Sequence, residues 1–119
     1  MIVLADTSVW IDHFRRTNSN LVNLLSEGLV LMHPFVAGEL ACGNLKGRSS
    51  LLSNLDAMPV AQLATNAEVM RFIENRRLWG RGLGLIDFHL LVAALLSRSG
   101  FWTLDSKLAR VAAELGLKK

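Results

Sequence analysis

Ile2-Val3-Leu4-Ala5-Asp6-Thr7-Ser8-Val9-Trp10-Ile11 opens the chain with a short apolar run that stops on a carboxylate. Residues 2–5 have the composition of a strand buried on both faces. Thr7 and Ser8 offer helix caps, and Val9, Trp10, Ile11 and Phe14 supply the apolar face of the helix behind them. A buried strand feeding a helix is the repeating unit of a parallel sheet covered by helices. Asp6 then belongs at the carboxyl end of a strand, where open α/β sheets gather their ligands.

The same alternation continues down the chain. Leu21, Val22, Leu24 and Leu25 mark a second helix, ended by Gly28. Leu29 to Met32 is the next strand, and Pro34 presets the start of a helix over Phe35 to Cys42. A further apolar helix covers Ser49 to Leu55, and Pro59 to Leu63 is expected as a short edge strand, where proline is tolerated. Thr65 caps a helix through Arg77. The glycine-dense loop Gly80 to Gly84 leads into an apolar helix from Ile86 to Arg98. Phe101 to Thr103 is a strand, and Lys107 to Leu115 closes the chain as helix.

With 119 residues the chain is long enough for one domain, 1–119, around a single core. Its hydrophobic fraction of 51% against 19% charged residues excludes a disordered chain. A net charge of +3 favours an anionic partner without the density of a histone-like tail. Cys42 is the single cysteine, which rules out an internal disulfide and gives no zinc site. No stretch reads as a signal peptide or a membrane span, so cytoplasm is the expected compartment and no membrane partner is expected.

Four carboxylates stand where apolar residues would normally be. Asp6 ends its strand, Glu39 interrupts Phe35 to Ala41, Asp87 breaks Leu83 to Phe88, and Asp105 follows Phe101 to Leu104. Charge in apolar sequence is costly unless compensated. Each has a plain alternative: Asp6 and Asp105 as helix caps, Glu39 as an ion-pair partner, Asp87 as a first-turn charge on a helix dipole. Gathered by folding, the four would repel one another and call for a hard divalent cation with oxygen ligands. That set of donors points to chemistry on phosphate.

These segments also carry a family likeness. Asp6-Thr7-Ser8-Val9-Trp10-Ile11, Pro34-Phe35-Val36-Ala37-Gly38-Glu39-Leu40, Leu85-Ile86-Asp87 and Trp102-Thr103-Leu104-Asp105 resemble, in order, the four motifs of PIN-domain nucleases. The nearest likeness is to the VapC-type toxins of bacterial toxin–antitoxin pairs, over essentially the whole chain. The resemblance implies a three-layer α/β/α sandwich around a short parallel sheet. It implies an endoribonuclease whose Asp6, Glu39, Asp87 and Asp105 hold one or two Mg²⁺ or Mn²⁺ ions. Asp6 and Asp87 would be the strongest ligands, Glu39 and Asp105 would bind directly or through water, and Thr103 would orient the cluster. It further implies hydrolysis of a phosphodiester in RNA, tRNA or rRNA by family habit, to a 5′-phosphate and a 3′-hydroxyl. A homodimer and a cognate antitoxin belong to the same picture.

Two departures stand out. Relatives usually supply a final strand where this chain has Lys118-Lys119, and Ser106-Lys107 replaces an acidic residue that would complete a second metal site. Basic residues accompany three of the motifs: Arg76, Arg77 and Arg81 before Asp87, Lys46 and Arg48 after Glu39, and Lys107 with Arg110 after Asp105. They are expected to bind RNA phosphates or, alternatively, to be ordinary solvated surface. His13, His33 and His89 have no metal-ligand spacing and are expected to be structural. A housekeeping PIN nuclease without an antitoxin and an inactive RNA- or protein-binding domain are the competing readings. A phosphatase of the Asp-x-Asp type is excluded because Ser8 fills the second position.

Overall fold

The computed structural model describes residues 1–119 and is built on three short parallel strands: β1 (Val3–Ala5), β2 (Val30–Leu31) and β3 (Gly100–Trp102). Their order is β2-β1-β3, so β1 is central. Val3 and Leu4 pair with Val30 and Leu31, while Val3, Leu4 and Ala5 pair with Gly100, Phe101 and Trp102. Every residue of the three strands is buried. This is why the strands read as continuous apolar runs rather than alternating ones. Seven helices enclose the sheet, which makes the expected α/β sandwich of PIN type.

Helices α1 (Thr7–Arg15) and α2 (Ser19–Ser26) follow β1. Helix α3 (Pro34–Ala41) follows β2 with proline at its first position, and α4 (Arg48–Asp56) comes next. Helix α5 (Asn66–Arg76) opens with a complete capping box, Thr65 and Glu68 exchanging bonds of 3.1 and 2.8 Å. Helix α6 (Leu85–Ser97) is the central one, buried without a break from Phe88 to Ala94 and packed against β1, β3 and α5. Helix α7 (Ser106–Glu114) is amphipathic and presents Leu108, Val111 and Ala112 to the core. No helix is long and apolar enough to cross a membrane.

Three details depart from the sequence expectations. Residues 59–63 do not form a strand; they make a single parallel bridge, Met32 to Val60. Met32 N–H donates to Pro59 O (2.8 Å) and Ala61 N–H donates to Met32 O (2.9 Å). Pro59 has no N–H to extend that ladder, and pairing stops there. The apolar residues Leu21 and Leu55 are fully buried, and Leu24, Leu25, Leu51 and Leu52 pack on the core. The exposed apolar residues include Phe35, Val60, Leu63, Met70, Trp79 and Leu104 instead.

The third detail concerns the edge beyond β3. Phe101 N–H donates to Lys118 O (2.6 Å), and the Lys119 ammonium lies 4.2 Å from the Trp102 ring centroid. The last residues therefore cover the edge without forming a strand. Gly100 is required for this passage, because a Cβ there would stand 2.2 Å from Lys118 O.

Candidate active site

Asp6 leaves the carboxyl end of the central strand, next to the end of β3, where the strand order reverses. Its backbone N–H still belongs to the sheet and donates to Trp102 O (2.9 Å). The side chain is buried. Ser8 Oγ donates to Asp6 Oδ1 (2.5 Å), Val9 N–H donates to the same oxygen (3.3 Å), and Thr103 Oγ1 donates to Asp6 Oδ2 (2.5 Å). Asp6 itself is thus the N-cap of α1, the alternative role its sequence context allowed, rather than Thr7 or Ser8.

The two hydroxyls that grip Asp6 are themselves anchored. Ser8 Oγ accepts Leu104 N–H (2.9 Å), and Thr103 Oγ1 accepts Asp105 N–H (3.1 Å). One closed circuit therefore ties the end of β1 to the turn between β3 and α7. Thr103 holds one oxygen of Asp6. Ser8 does the same from the other side, a role the reading of the sequence missed. The signal was present in Asp6-Thr7-Ser8, where hydroxyls at one and two positions beyond an acid can turn back on it.

Thr7 does a related job for Glu39. Its Oγ1 donates to Glu39 Oε1 (2.5 Å), which joins the start of α1 to α3. Glu39 is exposed, and it borders a cavity of about 500 Å³ with Ile11, Phe14, Arg15 and Lys46. Asp87 is half-buried in the first turn of α6, where its Oδ2 accepts Gly84 N–H (3.0 Å). Asp105 is exposed and caps α7, its Oδ1 accepting Lys107 N–H (2.9 Å) and Leu108 N–H (3.2 Å).

The Asp6 carboxylate and the Asp105 backbone N–H share one hydrogen-bonded circuit through Thr103, Glu39 is tied separately to Thr7, and Asp87 bonds only within its own helix start. As the side chains lie, no three carboxylate, histidine or cysteine groups converge closely enough to grip a metal ion. Each acid is turned toward its local donors instead. Their chemistry nevertheless suits a hard cation. A carboxylate offers about four lone-pair positions, and each of these four has some left: part of Oδ2 on Asp6, Oε2 on Glu39, Oδ1 on Asp87 and Oδ2 on Asp105. None of them has a cationic side chain as partner, since the only ion pair in the chain is Arg81 with Glu114. A buried, uncompensated carboxylate such as Asp6 is costly to hold and is the kind of ligand a divalent ion stabilises.

No family model matches the chain. It is 44% identical over 120 residues to Ribonuclease VapC32 of Mycobacterium tuberculosis, strains CDC 1551 / Oshkosh and ATCC 25618 / H37Rv, covering 98% of this chain and 94% of that protein. This chain belongs to the VapC family of PIN-domain ribonucleases. The likeness spans both ends of the VapC fold seen here, so all four acidic segments and the loop from Gly80 to Gly84 lie within the aligned region.

The basic residues have varied local surroundings. Arg76 lies over the Phe72 ring, 5.6 Å from its centroid, and Arg77 is the left-handed cap of α5 with φ of 53°. Arg48 donates to Gly43 O (3.2 Å). Lys46 borders the larger cavity. Arg81 and Lys107 line a small cavity together with Ser106 and Arg110.

The three histidines have structural partners. His13 Nδ1 accepts Asn18 N–H (3.1 Å), and His89 Nε2 lies 3.1 Å from Asn66 Oδ1. His33 caps α3 through a bond from Phe35 N–H to Nδ1 (2.9 Å). Burial, together with the nearby His89, lowers the His33 pKa from 6.5 to about 4.

Proposed function

We propose that this VapC-family chain is a divalent-metal-dependent endoribonuclease and the toxin of a toxin–antitoxin pair. Asp6 carries the reading: it is a buried carboxylate at the sheet's switch point, oriented by two hydroxyls and left without a cation. Asp6 and Asp87 would be the principal ligands of Mg²⁺ or Mn²⁺, with Glu39 and Asp105 completing the set. Such an ion, when bound, supplies charge neutralisation at the phosphate and a more acidic water.

The protein's own share is positioning. Ser8 and Thr103 fix the Asp6 carboxylate so that its free lone pair keeps one direction. Thr7 restrains Glu39 in the same way. Asp87 and Asp105 are held by helix amides, which leaves one oxygen of each available and lets both swing toward a common point. The proposed substrate is single-stranded RNA in a tRNA or rRNA loop, where exposed bases and backbone are reachable. The products are a 5′-phosphate and a 3′-hydroxyl. Exposed apolar residues such as Phe35, Leu63 and Met70 are consistent with a homodimer, and the mouth of the cavity beside Glu39 is open to an antitoxin.

The test is direct. Purified protein is expected to cleave RNA with Mg²⁺ or Mn²⁺, to stop in chelator, and to resume when the ion is returned. Ca²⁺, with its looser coordination, is expected to support little turnover. Expression without an antitoxin is expected to arrest growth. Cleavage that continues undiminished in chelator would remove the metal from this proposal.

A further inference from the structure

A cavity of about 140 Å³ opens between the loop before α6 and the first turns of α7, and no hydrophobic residue lines it. Its walls are Arg81, Ser106, Lys107 and Arg110. Its lining residues neighbour two of the acidic positions in the chain: Ser106 and Lys107 directly follow Asp105, and Arg81 comes six residues before Asp87. The amides at the start of α7 are not what makes it attractive to an anion, because Asp105 already accepts from Lys107 and Leu108. The attraction comes from side chains.

Those side chains are held in place. Arg81 is gripped by Glu114 through two bonds, Nη1 to Oε1 at 3.0 Å and Nη2 to Oε2 at 2.7 Å. The pairing fixes the guanidinium plane but uses only part of its five-donor fork. Glu114 offsets one positive charge, so the cluster keeps two in excess. Lys107 lies across Gly82, where an added Cβ would stand 3.2 Å from Cδ and 3.3 Å from Nζ. Gly82 also has φ of +81°, which a larger residue resists. The glycine-dense loop, left without a role in the sequence reading, thus shapes one wall of a small cationic cup.

We propose that this cup, formed by Arg81, Ser106, Lys107 and Arg110, holds one backbone phosphate of the RNA beside the scissile linkage. The inference rests on the ribonuclease reading and deepens it. It gives the strand a fixed register, with one phosphate seated between the Asp87 and Asp105 helices and the next linkage presented to the acids. Glu114 and Gly82 are positioning residues, acting through Arg81 and Lys107.

The experiment uses the full chain carrying Asp6→Asn, so that binding is read without cleavage. Affinity for a labelled single-stranded RNA is measured by fluorescence anisotropy across a range of salt. Arg110→Ala is expected to weaken binding by about three- to tenfold and to flatten the logarithmic salt slope by about 0.7, the value for one lost contact on a single strand. A second series replaces one phosphate at a time with a neutral methylphosphonate. One linkage is expected to lose its effect when Arg110→Ala or Lys107→Ala is present, a coupling that diffuse charge attraction would not produce. Glu114→Gln is expected to raise KM several-fold with little change in kcat when tested in the cleaving chain.

Equal, additive losses at every linkage would overturn the phosphate cup. Unchanged salt slopes in a chain that still cleaves RNA would overturn it and leave the nuclease reading standing. Failure of the unsubstituted chain to cleave RNA, together with failure of the Asp6→Asn chain to bind it, would overturn both.

Discussion

Asp6 and Asp105 both stand at the start of a helix, yet the fold treats them in opposite ways. Asp6 is buried and takes hydrogen bonds from the hydroxyls of Ser8 and Thr103, groups that lie in two separate parts of the chain. Asp105 is exposed and takes its bonds from the amides of its own helix. A cap of the second kind forms wherever a helix begins and needs no tertiary structure. The first kind is local in its Ser8 and Val9 bonds, but its Thr103 bond exists only when β1 and β3 are already paired. The difference separates a carboxylate whose geometry the whole fold determines from one that any local helix would provide.

Replacing each acid by its amide breaks that comparison most strongly. Asp6→Asn removes the charge that lies closest to the centre of the proposed site. Cleavage is expected to fall by more than about 100-fold, since loss of an outer partner of a metal ligand alone costs about 10–100-fold. Growth arrest on expression should disappear with it. Asp105→Asn is expected to leave stability within about 0.5 kcal/mol, because asparagine and aspartate cap helices about equally well. Any loss of cleavage in that variant therefore reports the charge and not the cap. Thermal melts beside single-turnover cleavage assays distinguish the two. Equal, small effects at both positions would mean that neither acid takes part in the reaction.

The hydroxyls sharpen the contrast at a smaller scale. Ser8→Ala and Thr103→Val each leave Asp6 with its charge but without one of its clamps. Each is expected to lower cleavage by about 10–100-fold at limiting metal, with part of the loss recovered when the ion is in excess. The cost in stability should be about 1–3 kcal/mol, the range for a buried group that loses a partner. The two changes share one acceptor, so the double variant should cost less than the sum of the singles. Full additivity would argue that the hydroxyls act independently of Asp6.

The same contrast explains what could be read from the sequence. Strands β1 and β3 and helix α6 were legible because burial on both faces leaves uninterrupted apolar runs, as in residues 2–5 and 90–94. The capping box of Thr65 and Glu68 was legible because it is a matter of spacing. The Ser8 half of the clamp on Asp6 was not, since a serine beside a helix start looks like a cap, and Thr103, 95 positions from Ser8, was named only through the family resemblance. The edge at Pro59 looked like a strand because its composition is that of one, while the missing N–H decides how far pairing goes. The basic residues were grouped by sequence neighbourhood, which cannot show that Arg81 lines the same cavity as Lys107 and Arg110, both well down the chain from it.

The smallest effect concerns the entry to the helix that carries Glu39. His33 Nδ1 accepts Phe35 N–H and must be unprotonated to do so, while Nε2 is buried with no partner. Protonating the ring would break the cap and place a charge beside His89, in an apolar setting. The folded chain therefore binds this proton only near pH 4, burial being the main cause and His89 the second, whereas an unfolded histidine binds it near 6.5. A group whose pKa is lowered by folding contributes stability that is complete above the unfolded value. That contribution is lost as pH falls from about 6.5 toward 4. Its size should be on the order of 2 kcal/mol at most, after allowance for screening. His33→Asn keeps an oxygen to cap α3 and removes the titration, so its melting temperature should fall less between pH 7 and pH 4.5 than that of the unsubstituted chain. Comparing the two proteins cancels the carboxylates, which titrate in both. Parallel pH profiles would show that the His33 proton is not linked to folding.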